Sequence, residues 1–305
     1  MPLLRVEAEK LSTTTLERGV IEEIIDNDAM FAMLPFMRIQ GKGYIYDREL
    51  ELAEGDFLDP NDTINESAST FQEVVAKLRI LIGDVDVDNF LDETMSETND
   101  QTAVQIAAKV KGMSRKFQRT LVQGDNSARN KEFDGIQRLV TADQTFYAGS
   151  GGNGGALTFE NLDRLLRMIP LGADALVMRG GTTDAIAAML RQLGGTNPEH
   201  VTISLGGDRK ISVPSYRSVP IIINDFLSDK EVRGAAPTTC SIYAARFNEA
   251  DGVHGIFGGP TAGVRVSSVG PVQNKDAERY RVKWYTGLAL KSTKSLARLG
   301  GVTNI

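Results

Sequence analysis

The fold of this chain is decided by residues 36 to 88, whose second half runs Glu73-Val74-Val75-Ala76-Lys77-Leu78-Arg79-Ile80-Leu81-Ile82-Gly83-Asp84-Val85-Asp86-Val87-Asp88. From Val74 to Ile82 every second residue is apolar, and this period of two predicts a half-buried strand. After Gly83 the same positions hold Asp84, Asp86 and Asp88. Because a shift of one residue moves each side chain to the opposite face of a strand, the change of phase predicts either a bulge at Gly83 or a crossing of the strand between two environments there.

The whole of residues 36–83 predicts an extended hairpin, in which two long strands are joined by an acidic connector. A two-stranded hairpin by itself is only marginally stable in water. The hairpin therefore needs a surface beneath it. We expect that surface to belong to a second copy of the same protein.

Composition indicates a globular protein of one large domain or two ordinary ones, with 305 residues, 41% hydrophobic and 24% charged. The longest apolar runs are shorter than the roughly 18 residues that a membrane span needs, so we expect no membrane partner. The first ten residues carry charges where a secretory signal would be apolar, so we expect no signal peptide. The single cysteine, Cys240, excludes an internal disulfide and is predicted to be a small buried strand residue.

The charges fall into two opposite blocks. Residues 47–66 hold eight acids and one base, a net charge of −7, whereas the whole chain has −6. Residues 109–131 hold seven bases and one acid, a net charge of +6. Complementary patches of this kind steer association and fix its register.

Periodicity predicts an α+β protein. Residues 14–34 and 99–122 have helical apolar stripes, and the second stripe includes Ala103, Ala107, Phe117 and Leu121. Two shorter helices are predicted from Thr158 to Pro170 and after the Gly180–Thr183 turn. The predicted later strands are Ala175–Met178, Val201–Ser204, Ile211–Val213, Val219–Ile223, Thr239–Phe247, Gly252–Phe257, Val264–Val269 and Tyr280–Leu290.

The glycines Gly149, Gly151 and Gly154 match the spacing G-x-G-x-x-G of dinucleotide sites. Such a site requires a buried strand before the motif and a helix start directly after it. Residues 141–147 are polar, and the next predicted helix begins only at Thr158. A surface loop is therefore favoured, and a nucleotide-binding enzyme is the less favoured class.

Other motifs also have a structural explanation. The aspartates 84, 86 and 88 could bind a hard cation, but salt bridges to arginines are favoured because the glycine and distal glutamate of an EF-hand are missing. The turn at Arg179 could hold an anion, although N-capping by Thr182 explains it equally well. The two histidines, His200 and His254, belong to no recognised catalytic motif. We expect no enzyme activity and no cofactor.

In order, these elements comprise a helical arm, a long hairpin, a long basic helix, a compact α+β unit and returning strands. This order resembles the major capsid proteins of tailed bacteriophages, which share the Hong Kong 97-like fold. The stretches that are similar are Leu11-Ser12 through Gly19-Val20-Ile21-Glu22, Leu34-Pro35-Phe36, Gly83-Asp84-Val85-Asp86-Val87-Asp88, Val219-Pro220-Ile221-Ile222-Ile223-Asn224-Asp225 and Ser241-Ile242-Tyr243-Ala244-Ala245-Arg246-Phe247.

The resemblance implies five segments. They are an N-terminal arm (1–35), an extended hairpin loop (36–83), a peripheral domain with a long spine helix (84–133), an axial domain (134–225) and the returning strands of the peripheral domain (226–305). It further implies hexamers and pentamers that form an icosahedral shell around double-stranded DNA. The protein would be part of the virion and would assemble in the host cytoplasm. Separate scaffolding and portal proteins, and a decoration protein, are the other implied partners. An encapsulin-like nanocompartment is the alternative with the same fold.

If the protein self-assembles, its working residues are at interfaces. We expect the acidic hairpin to contact a basic surface of an adjacent subunit, and we expect Gly83 to act as the hinge of the hairpin. The candidate interface residues are Glu49, Glu51, Glu54, Asp56 and Asp59 on the hairpin and Arg115, Lys116 and Arg119 on the spine helix. The competing interpretation is that these bases face the packaged DNA.

Overall fold

A computed structural model describes most of the chain from residue 30 onward. The described residues are 30, 33–51, 53, 55, 57, 63, 66, 68–95, 101–149, 151–194, 199–204, 210–260 and 263–304. The helix predicted at 14–34 lies almost entirely outside them. Three of the acidic candidates, Glu54, Asp56 and Asp59, also lie outside the described residues.

The described strands and helices alternate irregularly along the chain, as expected for an α+β protein. The strands are β1 (Phe36–Arg38), β2 (Gly43–Glu51), β3 (Thr70–Lys77), β4 (Arg79–Asp88), β5 (Thr145–Tyr147), β6 (Ala175–Met178), β7 (Glu199–Ser204), β8 (Lys210–Tyr216), β9 (Val219–Ile223), β10 (Glu231–Arg233), β11 (Ala236–Ala245), β12 (Val253–Gly258), β13 (Arg265–Pro271), β14 (Ala277–Leu290) and β15 (Leu296–Val302). The α-helices are α1 (Asn89–Met95), α2 (Gln101–Gln123), α3 (Ile136–Leu139), α4 (Phe159–Arg167) and α5 (Gly180–Gln192).

These strands form two sheets and a separate hairpin. Strand β14 is the centre of the first sheet, with β4 along one side and β12 and β13 along the other, while β1 adds to β12. The second sheet has the order β5-β15-β11-β6-β9-β8-β7, with β10 on β11. Strands β2 and β3 pair only with each other among the described strands. The extended hairpin of the sequence is therefore present.

The second sheet is buried on both faces. Along β11, Tyr243 and Ala245 join the cluster that includes the spine helix, which is α2. The alternating residues Ile242 and Ala244 join a second cluster under helices α4 and α5. A strand covered on both sides has no polar face, which explains the continuous apolar runs in this part of the sequence.

The strands of this sheet come from both sides of the domain boundary expected at residue 226. Strands β11 and β15 come from residues 226–305, which the resemblance implies to be peripheral, yet they pair with β6 and β5 of residues 134–225. The division at residue 226 stays a prediction. The hydrogen bonds of the sheet join both sides of it.

Four aromatic rings form the junction between the hairpin, the spine helix and the first sheet. The ring of Phe117 on the spine helix lies 4.4 Å from that of Trp284 on β14. Phe36, at the start of the hairpin segment, is 6.0 Å from Trp284, and Phe133 is 5.7 Å from Phe117. Both Phe117 and Trp284 are almost completely buried. The junction thus ties three elements that are far apart in sequence.

The predicted bulge at Gly83 is wrong. Strand β4 pairs with β14 in one unbroken register from Arg79 to Asp88. The change of phase occurs at Leu78, between β3 and β4, so that Leu81 and Val87 face inward while Ile80 faces solvent. The sequence was ambiguous because Leu78, Ile80, Leu81 and Ile82 supply apolar residues to both faces.

The expected role of Gly83 as a hinge stays a prediction. A Cβ atom at this position would collide with the side chain of Lys109 on the spine helix. The atoms that it would meet are at the far end of a flexible lysine side chain, which can move away, so a small side chain at this position is compatible with the position of the helix.

The expectation that the hairpin rests on another copy needs a correction at its base. The Tyr46 hydroxyl donates a hydrogen bond of 2.6 Å to the carbonyl of Leu290, and Arg48 donates to the carbonyls of Leu290 and Lys291, each at 2.8 Å. Backbone contact is also close, because a Cβ at Gly287 would lie only 2.8 Å from the Lys77 carbonyl oxygen. The chain's own first sheet supports the base of the hairpin.

Predictions for the helices are confirmed in part. The spine helix runs from Gln101 to Gln123, and Phe117 and Leu121 are buried as expected. Ala103 and Ala107 are exposed, so the N-terminal half of the predicted stripe does not enter the core. Thr158 caps α4, since its Oγ1 accepts a hydrogen bond from the backbone N–H of Asn161 at 3.2 Å.

The aromatic junction yields a stability prediction. Replacing Phe117 with alanine removes a buried ring and leaves a cavity, which should lower the free energy of unfolding by about 3–5 kcal/mol. Denaturant unfolding of the unassembled subunit measures this loss. The matched control is Phe90→Ala, because Phe90 is exposed and its loss should change stability by about 0.5 kcal/mol or less. Equal losses for the two variants would contradict the role of the junction.

Candidate functional site

The hairpin presents two different faces. Directly opposite pairs on β2 and β3 place Ile45 with Val75, Asp47 with Glu73, and Glu49 with Phe71. All six of these side chains are exposed. We call them the outer hairpin face. The other face carries Tyr44, Tyr46 and Arg48, which contact the chain's own body.

The outer hairpin face has unusual chemistry for a surface that stays in water. Ile45 and Phe71 are 60% and 65% exposed. Asp47 and Glu73 are like charges directly opposite each other on paired strands, which is a destabilising arrangement. Exposed apolar groups beside uncompensated acids indicate a binding surface for a partner that carries both apolar groups and cations.

Two of the five acidic candidates fall within the described hairpin. Glu49 lies on the outer hairpin face, and Glu51 is the last residue of β2. The sequence therefore identified the acidic character of this region correctly. It missed the apolar residues that accompany the acids, although the alternation of Phe71, Glu73 and Val75 is the signal that could have shown them.

The three basic candidates lie together on the spine helix but differ in their surroundings. Lys116 Nζ is 2.6 Å from Glu132 Oε1 of the same chain. The Arg115 guanidinium lies 5.7 Å from the centre of the Phe226 ring. Arg119 is exposed. Within the described residues, no hydrogen bond or ion pair joins these bases to Glu49.

A second basic surface, which the sequence did not predict, lies at the base of the hairpin. It is an open groove of about 830 Å³ beside the outward-facing side of β4. We call it the basic groove. Its five cationic lining residues are Arg38, Lys42, Lys77, Arg79 and Arg265, and Ile80 and Tyr285 are among its apolar ones.

One cation of the basic groove, Arg265, has a nitrogen atom without a hydrogen-bond acceptor among the described residues. Arg265 lies over the ring of Tyr285, with its guanidinium carbon 5.3 Å from the ring centre. Its Nη2 atom is buried and makes no hydrogen bond to the described residues. A buried donor without a partner is costly, and a carboxylate entering the groove would satisfy it. The described residues that line the groove include no carboxylate.

The aspartates after Gly83 form salt bridges, as the favoured interpretation predicted. Asp84 accepts two hydrogen bonds from Arg281, both 2.8 Å, and Asp86 accepts two from Arg279, of 2.6 and 2.8 Å. These hydrogen bonds hold the pKa of each carboxyl below its ordinary value of 3.8. Asp88 instead accepts from the backbone N–H groups that open α1.

The glycine loop, Thr182 and Cys240 each lie in contact with other parts of the fold. The glycine loop at 149–155 is bonded to the end of β15, with Gly155 N–H donating to the Gly301 carbonyl at 3.0 Å. Capping by Thr182 is wrong, because this residue lies inside α5 and its hydroxyl is 3.2 Å from Cys240 Sγ. Cys240 is buried as predicted. Among the described residues, no three potential ligands cluster as a metal site would require.

His254 is buried beneath the hairpin. It lies in β12, edge-on to the ring of Tyr44 at 6.0 Å, and its Nδ1 is 3.4 Å from the Gly252 carbonyl oxygen. Burial lowers the pKa of this imidazole below its ordinary value of 6.5. The neutral ring therefore serves as packing for the hairpin base.

Comparison with solved structures finds the same fold in several shell proteins. An encapsulin complex (holo-SrpI) from Synechococcus elongatus PCC 7942 superposes with a TM-score of 0.70 at 20% identity, covering 99% of this chain and 96% of that one. The capsid of an empty GTA particle gives 0.69 at 12%, covering 95% and 94%. The Cyanophage A-1(L) capsid gives 0.64 at 13%, covering 95% and 99%. The chain has the Hong Kong 97-like fold. Neither protein-family models nor curated protein sequences match it.

This fold confirms the architecture that the resemblance implied, since the superposition extends over nearly the whole chain. The chain thus has its extended hairpin, its spine helix and its two sheets in the expected order. Of the helices described here, none has both the length and the hydropathy to cross a membrane.

The salt bridges on β4 predict an acid dependence of stability. Because the folded-state pKa values of Asp84 and Asp86 are depressed, their contribution is present above pH 3.8 and is lost as the pH falls through the lower folded-state values. The double variant Asp84→Asn/Asp86→Asn should be less stable than the wild type at pH 6. The difference should shrink in strong acid. Denaturant unfolding at several pH values measures it, and a difference independent of pH would contradict the assignment.

The lowered pKa of His254 predicts a second pH range, higher than that of the aspartates, in which the stability of the fold changes. Its folded-state pKa is lowered, so the unfolded chain takes up a proton first, and stability should fall as the pH drops below about 6.5. His254→Phe should remove this part of the pH dependence, whereas the exposed control His200→Asn should keep it. Unfolding between pH 5 and 8 tests both variants, and an unchanged profile for His254→Phe would refute the prediction.

Proposed function

We propose that this protein is a shell-forming capsid protein that assembles from many copies of itself. The observation that carries the proposal is the likeness over nearly the full chain to capsids of phages and a GTA particle and to an encapsulin. The exposed apolar and acidic outer hairpin face supports it, since this face has the chemistry of an interface. The function is structural, and no enzymatic step is part of it.

Within this proposal, the subunits form hexamers and pentamers of an icosahedral shell that encloses double-stranded DNA in a virion, with assembly in the host cytoplasm. Packaging would then need separate scaffolding and portal proteins, and a decoration protein could bind outside. A net charge of −6 favours weak, sequence-independent contact with DNA, carried by local basic surfaces. Such weak contact suits a genome that must later leave.

An encapsulin-like nanocompartment is the second candidate. The encapsulin complex has a TM-score of 0.70 and 20% identity with this chain, against 11% identity for a structure from Mycobacterium phage Adephagia. The two functions differ in the contents of the shell. Purified shells that protect double-stranded DNA from nuclease support the capsid, and shells that hold an enzyme support the nanocompartment.

Electron microscopy of the purified protein in negative stain is the direct test. We expect closed shells of uniform diameter. A protein that remains monomeric or forms only small oligomers at all concentrations would overturn the proposal. Stabilisation by a nucleotide in such a sample would instead favour the enzyme class.

For the interface, the pairing of the acidic hairpin with the spine helix remains a prediction. The acids are Glu49, Glu51, Glu54, Asp56 and Asp59, and the bases are Arg115, Lys116 and Arg119. Opposite net charges in the two blocks support it. The internal ion pair of Lys116 with Glu132 leaves Arg115 and Arg119 as the more available partners.

Charge reversal tests the acidic hairpin as a whole. The triple variant Glu49→Lys/Glu51→Lys/Glu54→Lys should fail to form shells, or should do so only at high protein concentration. Each exposed ion pair contributes about 1 kcal/mol or less, but the contact repeats at every subunit of the shell. Light scattering and electron microscopy measure assembly. Normal shells from this variant would remove the acidic hairpin from the interface.

A further inference from the structure

The structure holds two exposed surfaces of complementary chemistry on different parts of one chain. The outer hairpin face joins three acids, Asp47, Glu49 and Glu73, to three exposed apolar side chains. The basic groove joins five cations to Ile80 and Tyr285 and includes no acid in its lining. Both surfaces mix apolar and charged groups, with opposite sign.

We propose that the outer hairpin face of one subunit docks in the basic groove of the next copy. This inference rests on the proposed function, and it names the hairpin's partner surface. For the described part of the hairpin, β2 and β3, the groove is the alternative to the spine helix as that partner, and the test below distinguishes the two. The spine helix packs on the inward side of the first sheet, at Trp284, whereas the groove opens on the outward side, at Ile80.

Docking of the two surfaces would bury apolar side chains that are exposed to solvent in the single subunit. Ile80 is 68% exposed although it belongs to β4, a strand of the first sheet. Ile45 and Val75 form an exposed apolar pair near the base of the hairpin. Burying such groups against each other removes apolar surface from water on both sides.

The charged parts of the two surfaces would pair groups for which the described residues provide no counterpart. Asp47 and Glu73 repel each other across the hairpin, and a cation placed between them would remove that cost. Arg265 Nη2 is buried without an acceptor in the described part of the chain. A carboxylate from the neighbouring hairpin supplies a charge-assisted hydrogen bond to such a donor.

The geometry also fits a closed assembly. The donor surface and the acceptor surface are different patches of the same chain, so the contact is head-to-tail. Head-to-tail contacts close into rings when the rotation between subunits permits it. The first strand of the hairpin, Gly43–Glu51, is roughly 30 Å long, and its outer face is exposed at Ile45, Asp47 and Glu49.

The test is a charge swap with four variants. The hairpin reversal is Asp47→Lys/Glu73→Lys, and the groove reversal is Arg38→Glu/Lys42→Glu, at exposed positions. A third variant combines all four substitutions. The control, Glu93→Lys/Glu249→Lys, makes the same change of net charge as the hairpin reversal at exposed acids elsewhere. Circular dichroism and unfolding curves first establish that each variant is folded.

Each reversal alone should raise the subunit concentration required for assembly by about tenfold or more, because attractive contacts become repulsive. The combined variant should restore assembly to within about threefold of the wild type, and the control should assemble normally. Added salt should weaken wild-type assembly and partly relieve the single reversals, since exposed charges are screened.

Two results would overturn the inference and leave the shell intact. The first is a groove reversal that assembles like the wild type, which would leave the groove empty or filled by the first 29 residues. The second is rescue of the hairpin reversal by Arg115→Glu/Arg119→Glu and not by the groove reversal, which would assign the acids to the spine helix. A wild-type protein that never assembles would instead refute the proposed function itself, and the docking with it.

Discussion

The packing of Trp284 against Phe117 is the contact on which the remaining structure depends. It fixes the spine helix to the centre of the first sheet, and Phe36 extends the same cluster to the start of the hairpin. These residues lie far apart in sequence, so no local preference can bring them together. Large buried rings supply the apolar area that offsets the loss of chain entropy when three distant elements meet. With the helix in this position, the end of the Lys109 side chain lies over Gly83.

The same packing divides the first sheet into an inward and an outward side. Leu81, Val87 and Trp284 occupy the inward side, and the paired Asp84–Arg281 and Asp86–Arg279 salt bridges occupy much of the outward side. The salt bridges neutralise their own charges. The neighbouring groove does not, since its lining cations have no carboxylate among them. The salt-bridged part of the outward side has little net charge, and the groove keeps its positive charge. An acidic partner is therefore attracted to the end of the sheet that holds the groove.

One face of the hairpin is attached to its own subunit, and the other face is exposed. Its inner face is held by hydrogen bonds from Tyr46 and Arg48 to the end of β14, and buried His254 lies beneath Tyr44. Its outer face carries exposed apolar and acidic side chains. A support on its own subunit keeps the hairpin pointing in one direction, so less entropy is lost when a partner is bound. The second sheet, buried on both faces between two clusters, provides a rigid body behind it.

The sequence by itself determined the α+β class, the hairpin, the spine helix and the opposite charge blocks, because periodicity and charge are local properties of the chain. It also favoured salt bridges at Asp84 and Asp86. The tertiary structure alone decided which side of β4 faces the core. In the run Leu78-Arg79-Ile80-Leu81-Ile82 apolar residues fall in both phases, with three in one phase and Leu81 in the other. The packing of Phe117 and Trp284 selects the phase of Leu81. It also decided that the hairpin rests partly on its own body and that a basic groove forms at its base, since cations from residues 38, 42, 77, 79 and 265 meet only after folding.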